Sequence, residues 1–406
     1  MQILTPEESV LLRLVREEPL AQALRSCEKG EIARLASMQK VLSPLSDRLL
    51  NEEGIDEGWK RVGAAFALGA EMERSRFAKA LKDSVALLAS VGIGSVVIKG
   101  ISLAMGKARD CGDIDLLISE SDLQRAISAF EEAGYQYAGF ERNRYIRKSE
   151  YRDWRRLSQW SIQFEFIEPS TGILVELHTA FFETGRMYTE NLRGLRAAIP
   201  EFIADSVIDP ETGYRFLAVE DRALLLAFHA GMKRSPSNKC FVLRHILDLD
   251  ALICAGLNWN SLIEKAARFK ASHHLLLLLK LFEDATGAPL EQGILADVES
   301  SLDDRSIGMV RLHLRCLKSL GSYSTLSCFL YQLKSPFVFP STTMARLRAG
   351  LILPLVLPPP RRLAQEYRLP IRSPLVYLLY LLEPFRWLLR IIRKILRALV
   401  SRIVPS

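Results

Sequence analysis

The sequence predicts an α+β protein in which a small module of short strands sits between helical stretches and is followed by a basic, apolar tail. Three observations lead there. Short β-branched runs are confined to the stretch near residues 91–190, where Ser95-Val96-Val97-Ile98 and then Ile114 to Ile118 follow Gly92 and Gly94. Helical texture governs the chain on either side, from Gly58 to Ser90 and again from Glu220 to about Leu320. The composition, 49% apolar and 25% charged over 406 residues, is that of an ordinary folded chain. At ~150 residues per domain that length suits two or three domains.

Thr5-Pro6-Glu7-Glu8 opens the first helix, because Thr caps, Pro fits the first turn and the acids face the positive helix end. Between Gly58 and Ser90, Ala, Leu and Phe gather on one side, with Glu71, Glu73, Arg74, Arg76, Lys79 and Lys82 elsewhere. Ser121-Asp122 reads as the cap of a helix ending near Gly134. Ser161 to Ile167 and Ile173 to Leu177 read as two strands joined by the hairpin signal Glu168-Pro169-Ser170-Thr171-Gly172. Asn258-Trp259-Asn260-Ser261 and Gly287-Ala288-Pro289 break the later helices. His273-His274, ahead of Leu275 to Leu279, mark a helix that begins on a core face. No internal repeat is visible. The expected division is a helical segment over 1–56, the strand-bearing domain over 57–200, a helical domain over 201–335 and the tail over 336–406.

Charge is uneven along the chain. The whole carries +7, yet residues 361–406 hold ten Lys and Arg against Glu366 and Glu383, so the tail is +8 and the rest −1. The body therefore lacks the basic excess of a nucleic-acid binder. The cysteines Cys27, Cys111, Cys240, Cys254, Cys316 and Cys328 show no C-x-x-C spacing, which argues against a zinc ribbon or redox motif and fits scattered reduced thiols. No basic start and apolar run opens the chain, so a cytoplasmic protein is expected.

The tail adds a second expectation. Pro384 suits a helix start, and Arg386, Arg390, Arg393 and Arg397 then fall within an arc of ~60° at ~100° per residue. Leu388, Leu389, Ile391, Ile392, Ile395, Leu396, Leu399 and Ile403 fill much of the remaining surface. An arginine ridge on a broad apolar helix suits an anionic membrane surface, here through residues 384–406 on the cytoplasmic face. Packing against the body or another subunit is the alternative. The charges and prolines leave no window of ~20 apolar residues that would span a bilayer.

Chemistry concentrates between Val96 and His178. In a strand, residues two apart point the same way, so Asp113 and Asp115 project together from the start of the Ile114–Ile118 run. Two such carboxylates repel unless a cation lies between them, and hard oxygen ligands suit Mg²⁺. Lys99-Gly100 closes the preceding strand, where Gly permits close backbone approach to a phosphate and Lys supplies a point charge. A third acid stands in Val175-Glu176-Leu177-His178. If that strand lies beside the Asp113–Asp115 strand, the three carboxylates meet the needs of two-metal phosphoryl or nucleotidyl transfer. A bare D-x-D is a weak signal: Asp248-Leu249-Asp250 repeats it within an apparent helix, where the two side chains lie ~200° apart. Solvated acids at a strand start are the plainer alternative for Asp113 and Asp115.

Other residues carry two readings each. Arg109 either neutralises phosphate or pairs with a nearby acid at the surface. His178, on the face of Glu176, orients that acid, contacts substrate or serves as a structural histidine. His229 and Lys233, spaced i, i+4, share a helix face that either lines an interdomain cleft or meets solvent.

Taken in order, Lys99-Gly100, Arg109-x-x-x-Asp113-Ile114-Asp115-Leu116-Leu117-Ile118 and Glu176-Leu177-His178 resemble the uncharacterised bacterial nucleotidyltransferase family of the polymerase-beta-like superfamily. His229-Ala230-Gly231-Met232-Lys233 and His245-Ile246-Leu247-Asp248-Leu249 resemble its helical elements, so the likeness covers roughly residues 60–255. It implies a minimal nucleotidyltransferase fold, a short mixed sheet with flanking helices, packed on a helical domain. By the same resemblance, Asp113, Asp115 and Glu176 would bind Mg²⁺. Lys99, Gly100, Ser102 and Arg109 would hold the nucleotide phosphates. The implied reaction moves a nucleoside monophosphate from an NTP to the hydroxyl of a small-molecule, saccharide or peptide acceptor and releases pyrophosphate. Two departures stand out: Lys99-Gly100 replaces the superfamily's Gly-Ser phosphate motif, and Glu176 stands where Asp is commoner. The rival expectation is an inactive nucleotidyltransferase-fold binding or assembly protein, docked on a membrane surface through its tail.

Overall fold

The structure, a computed structural model, describes residues 5–98, 112–138, 163–181, 194–232, 242–291, 293–319, 322–323, 374–375, 378–379 and 382. Helix α1 (Pro6–Val15) opens with a reciprocal cap. The Thr5 hydroxyl accepts from the Glu8 N–H at 3.2 Å, and the Glu8 carboxylate accepts from the Thr5 N–H at 3.0 Å. Amides that the helix itself cannot pair are satisfied in this way. Helices α2 (Ala21–Leu24), α3 (Lys29–Gln39) and α4 (Leu42–Asn51) follow. Asp56 then caps the 34-residue α5 (Glu57–Ser90), accepting from the Trp59 N–H at 3.0 Å.

That long helix joins two cores. Its first turns, through Trp59, belong to a core shared by α1 to α4 and the later helices. Its last turns, through Phe77, Ala80, Leu81 and Leu88, cover one face of the sheet. Between them Leu68 and Met72 are exposed.

The sheet contains β1 (Val96–Val97), β2 (Ile114–Leu117), β3 (Gln136–Tyr137), β4 (Gln163–Ile167), β5 (Leu174–His178), β6 (Val207–Ile208) and β7 (Arg215–Phe216), in the order β3-β4-β5-β2-β1-β7-β6. The β2–β5 and β1–β7 pairs are parallel and the others antiparallel, so the sheet is mixed. Side-chain alternation divides it. Val97, Ile114, Leu116, Phe164, Phe166, Val175 and Leu177 face α5 and α6 (Leu123–Glu132). Val96, Ile98 and Leu117 face the other way, into the helical core, and Asp115 and Glu176 share that second face.

The expected hairpin forms. The turn is held by Glu168, whose carboxylate accepts from the Ser170 and Thr171 amides at 3.0 and 2.6 Å, and Gly172 takes the left-handed conformation at φ +70°. Two local expectations change. Asp122 stands at the N-cap position of α6 but makes no side-chain capping hydrogen bond, accepting from Arg125 at 2.6 Å, and Ser119 caps a preceding 3-10 turn over Glu120–Asp122. The strands β3, β6 and β7 were not anticipated, because two residues are too few to display a period of two.

After α7 (Ile199–Ala204) the chain is helical: α8 (Val219–Met232), α9 (Val242–Cys254), α10 (Trp259–Arg268), α11 (Ser272–Thr286), α12 (Ile294–Ser300) and α13 (Asp304–Cys316), closed by the small pair β8 (Leu317–Ser319) and β9 (Ser322–Tyr323). Asn258 caps α10, accepting from the Ser261 N–H at 3.1 Å, and Gly287 ends α11 at φ +70°. His273 and His274 begin α11 buried, with ring centroids 3.9 Å apart. In α9, Asp248 is buried and Asp250 half-buried, so the second D-x-D splits across two faces.

The basic segment 384–406 lies outside the described residues. Just before it, the helical positions Leu375, Leu378 and Leu382 are 52%, 51% and 49% exposed. Among the described residues, no helix is long and apolar enough to cross a membrane.

Candidate active site

The site is built by strand register. Asp115 of β2 lies directly opposite Glu176 of the parallel β5, and Leu117 lies opposite His178. Partners across a register share a face and stand close, so one β-bridge brings the acids together. The period of two then adds His178 from the next position along β5. The Glu168 turn fixes the pairing of β4 with β5, and Ile118 continues the β2 side by donating its N–H to the His178 carbonyl at 2.9 Å.

The resulting geometry is tight. His178 Nε2 lies 2.8 Å from Asp115 Oδ1 and 3.3 Å from Glu176 Oε2. One ligand atom from each of the three lies within 4.8 Å of the others. Asp115, Glu176 and His178 are only 2%, 5% and 1% exposed, so bulk water does little to screen them. Asp113, half-buried one residue before β2, stands outside this trio but adds to its negative potential.

Burial is the foremost influence on Glu176 and raises it from the ordinary carboxylate range. The hydrogen bond from His178 opposes that shift, and the charges of Asp115 and Asp113 reinforce it. A site that disfavours its own carboxylate charge is one that an added cation stabilises. The donor set fits a divalent ion: two carboxylates suit Mg²⁺ or Mn²⁺, and the imidazole can either join them as a ligand or orient them by hydrogen bonding.

Of the positions singled out in the sequence, Asp115, Glu176 and His178 come together and Asp113 stands outside that group, whereas Lys99, Gly100, Ser102, Arg109 and Lys233 lie outside the described residues. His229 is half-buried on α8, its ring centroid 6.5 Å from that of His245. One neighbour was overlooked in the sequence. Glu165 of β4 is directly opposite Glu176, and Gln163 donates to its carboxylate at 3.2 Å. The hairpin signal at 168–172 already implied this pairing, since counting back from the turn sets Glu165 against Glu176.

A burial-driven shift marks the neighbouring strand. Tyr137 of β3 is pushed up to about 12, chiefly by burial and secondarily by the Glu165 charge.

A model of a family described as uncharacterised nucleotidyltransferase matches residues 26–287, well over half of the chain. No curated protein and no solved structure matched the chain. The matched span includes β1 to β7 and the whole acid cluster, and the α+β architecture agrees with a nucleotidyltransferase fold carrying additional helices. The chain therefore belongs to the uncharacterised nucleotidyltransferase family.

Proposed function

We propose that this protein is a Mg²⁺-dependent nucleotidyltransferase that moves a nucleoside monophosphate from an NTP to an acceptor hydroxyl. The observation that carries the reading is the pairing of Asp115 with Glu176 across β2 and β5, with His178 Nε2 2.8 and 3.3 Å from their carboxylate oxygens. In the reaction, the acceptor oxygen bonds to the α-phosphorus, the bond from that phosphorus to the β-phosphate bridging oxygen breaks, pyrophosphate leaves, and the hydroxyl proton passes to the Glu176 carboxylate. Asp113 and Asp115 hold the metal, and Glu176 completes its site and assists the attacking oxygen. His178 fixes the orientation of both carboxylates. Mg²⁺ held there supplies Lewis-acid charge to the phosphates. Lys99, Gly100, Ser102 and Arg109 steady the triphosphate. The acceptor, which in this reading His229 and Lys233 contact, is a small molecule, a saccharide or a peptide.

Calorimetry with each of the four NTPs, first with Mg²⁺ and then with EDTA, tests this reading. Mg²⁺-dependent binding that is lost in Asp113→Asn/Asp115→Asn supports it, and Asp113→Asn alone abolishes transfer while leaving the melting temperature nearly unchanged. Full transfer by that variant would sink the mechanism.

A second reading concerns the tail. The arginine ridge over 384–406 and the exposed Leu375, Leu378 and Leu382 support docking on an anionic membrane surface. Sedimentation with phosphatidylserine vesicles should fall when residues 384–406 are removed, and unchanged partitioning would refute it. Membrane docking by a protein that binds no NTP would favour the inactive, assembly-type reading.

A further inference from the structure

A cavity of about 430 Å³ lies at the far edge of the sheet, between the β6–β7 hairpin and helices α8 and α9. Asp115, Glu176 and His178 are not in its wall, so it is separate from the acid cluster. Most of the wall is apolar, with Val207, Ile208, Phe216 and Leu252 contributing, and Val207 and Ile208 are exposed at its mouth on the edge strand.

One cation, Arg222, and two acids, Asp209 and Glu211, interrupt that wall. Arg222, in the first turns of α8, has no hydrogen-bond acceptor or ion-pair partner among the described residues, and its Nε is fully buried. The neighbouring acids are engaged elsewhere. Asp209 accepts from the Glu211 N–H at 3.0 Å and from the Thr212 hydroxyl at 2.8 Å. Glu220 accepts from the Asn258 N–H at 3.1 Å, and Asp221 pairs with Lys265 at 2.5 Å. Glu211 is the exposed acid of the wall.

Arg222 is half-buried, and a guanidinium nitrogen that is buried without an acceptor, as its Nε is, is costly to the fold. Burial pushes Arg222 down, with Glu220 opposing, yet arginine has far to fall before it loses its charge at neutral pH. An anion entering the cavity would supply the missing acceptors in the forked geometry that a guanidinium favours. The surrounding apolar wall selects an apolar body behind the anion. The single cation, with Glu211 nearby, favours one negative charge over two.

We propose that this cavity binds a small monocarboxylate with an apolar body, its carboxylate paired with Arg222 and its body against Val207, Ile208 and Leu252. Binding does not depend on the acid cluster or on nucleotide. The probe is 3-phenylpropionate, titrated calorimetrically into the full chain beside 3-phenylpropan-1-ol and inorganic phosphate. Saturable binding is expected for the acid, weakened by about tenfold or more in Arg222→Gln and for the alcohol, because a charge-assisted pair is lost in each case. Ala255→Leu, at an exposed wall position, should weaken binding by filling the space while the fold is kept. Asp115→Asn should leave it unchanged. Absence of saturable binding to the folded protein overturns the proposal. Equal affinity for acid and alcohol, undiminished binding in Ala255→Leu, or tighter binding of phosphate than of the acid does so as well.

Discussion

Replacing Glu176 by Gln separates the cost of the acid cluster from its use. Without metal, Asp115 and Glu176 are buried with ligand atoms no more than 4.8 Å apart. Two unit charges at such a distance repel by about 3 kcal/mol at an effective dielectric of about 20. Burial and the two aspartates raise Glu176 against the hydrogen bond from His178, so its charged form is disfavoured in the fold. For a raised carboxylate, the associated stability is present at low pH and lost as the pH rises through the folded value. At neutral pH the metal-free Glu176→Gln protein should therefore melt at or above the wild-type temperature. Divalent metal reverses the order. At a hundredfold excess over its Kd, a ligand stabilises the native state by about 2.7 kcal/mol, a shift of about 3 °C for a chain of 406 residues at ~2.1 cal/mol/K of unfolding entropy per residue. The variant, lacking one of two carboxylate ligands, should keep little of that shift. Scanning calorimetry in EDTA and in Mg²⁺ or Mn²⁺ provides the four melting temperatures. An equal metal-induced shift in both proteins, or a variant several degrees less stable in EDTA, would refute the reasoning.

Three further outcomes concern the framework. Glu52 accepts from the Leu20 and Ala21 amides at 2.5 and 3.1 Å and from Arg48 at 2.6 Å; burial opposes its charge, but these partners prevail and hold it below the ordinary 4.5. Its stabilisation is thus present above the unfolded value and lost as pH falls through the folded one, so Glu52→Gln should cost about 2 kcal/mol at pH 7. Urea melts should show that gap closing below the ordinary carboxylate range. Gly231→Ala would drive a Cβ into Nδ1 of the buried His274, and overpacking of this kind costs about 1–3 kcal/mol or more; an unchanged melting temperature would contradict the α8–α11 packing. Lys265→Met should cost about 3 kcal/mol by leaving Asp221, 1% exposed, as an uncompensated buried acid. Denaturation of Lys265→Met/Asp221→Leu should recover most of that loss.

Short-range rules made much of this protein legible in advance. Thr5 with Glu8, Asn258 with Ser261, and the Glu168–Gly172 turn each solve a local hydrogen-bonding or backbone problem within a few residues, and each stands where the sequence puts it. The alternation in Asp113-Ile114-Asp115-Leu116 likewise separates acids from core residues without knowledge of any neighbour. Asp122 shows the limit even at this scale: it stands at the cap position of α6, yet its carboxylate accepts from Arg125 in place of the helix amides.

What the sequence by itself determined is therefore the kind of chemistry available: acids projecting from apolar strands, in an order that resembles one family. What the tertiary structure alone decided is which groups meet. The parallel pairing of β2 with β5 joins positions some sixty residues apart, and no local periodicity contains that register. It sets Asp115 against Glu176, places His178 within reach of both, and brings in Glu165 from the far side of β5. The same holds for Arg222, an unremarkable helix residue in the sequence whose Nε is buried without an acceptor in the wall that α8 shares with the β6–β7 hairpin. Burial and long-range register are collective properties of the packed chain, and from them come both the charge of the acid cluster and the cavity at the sheet's edge.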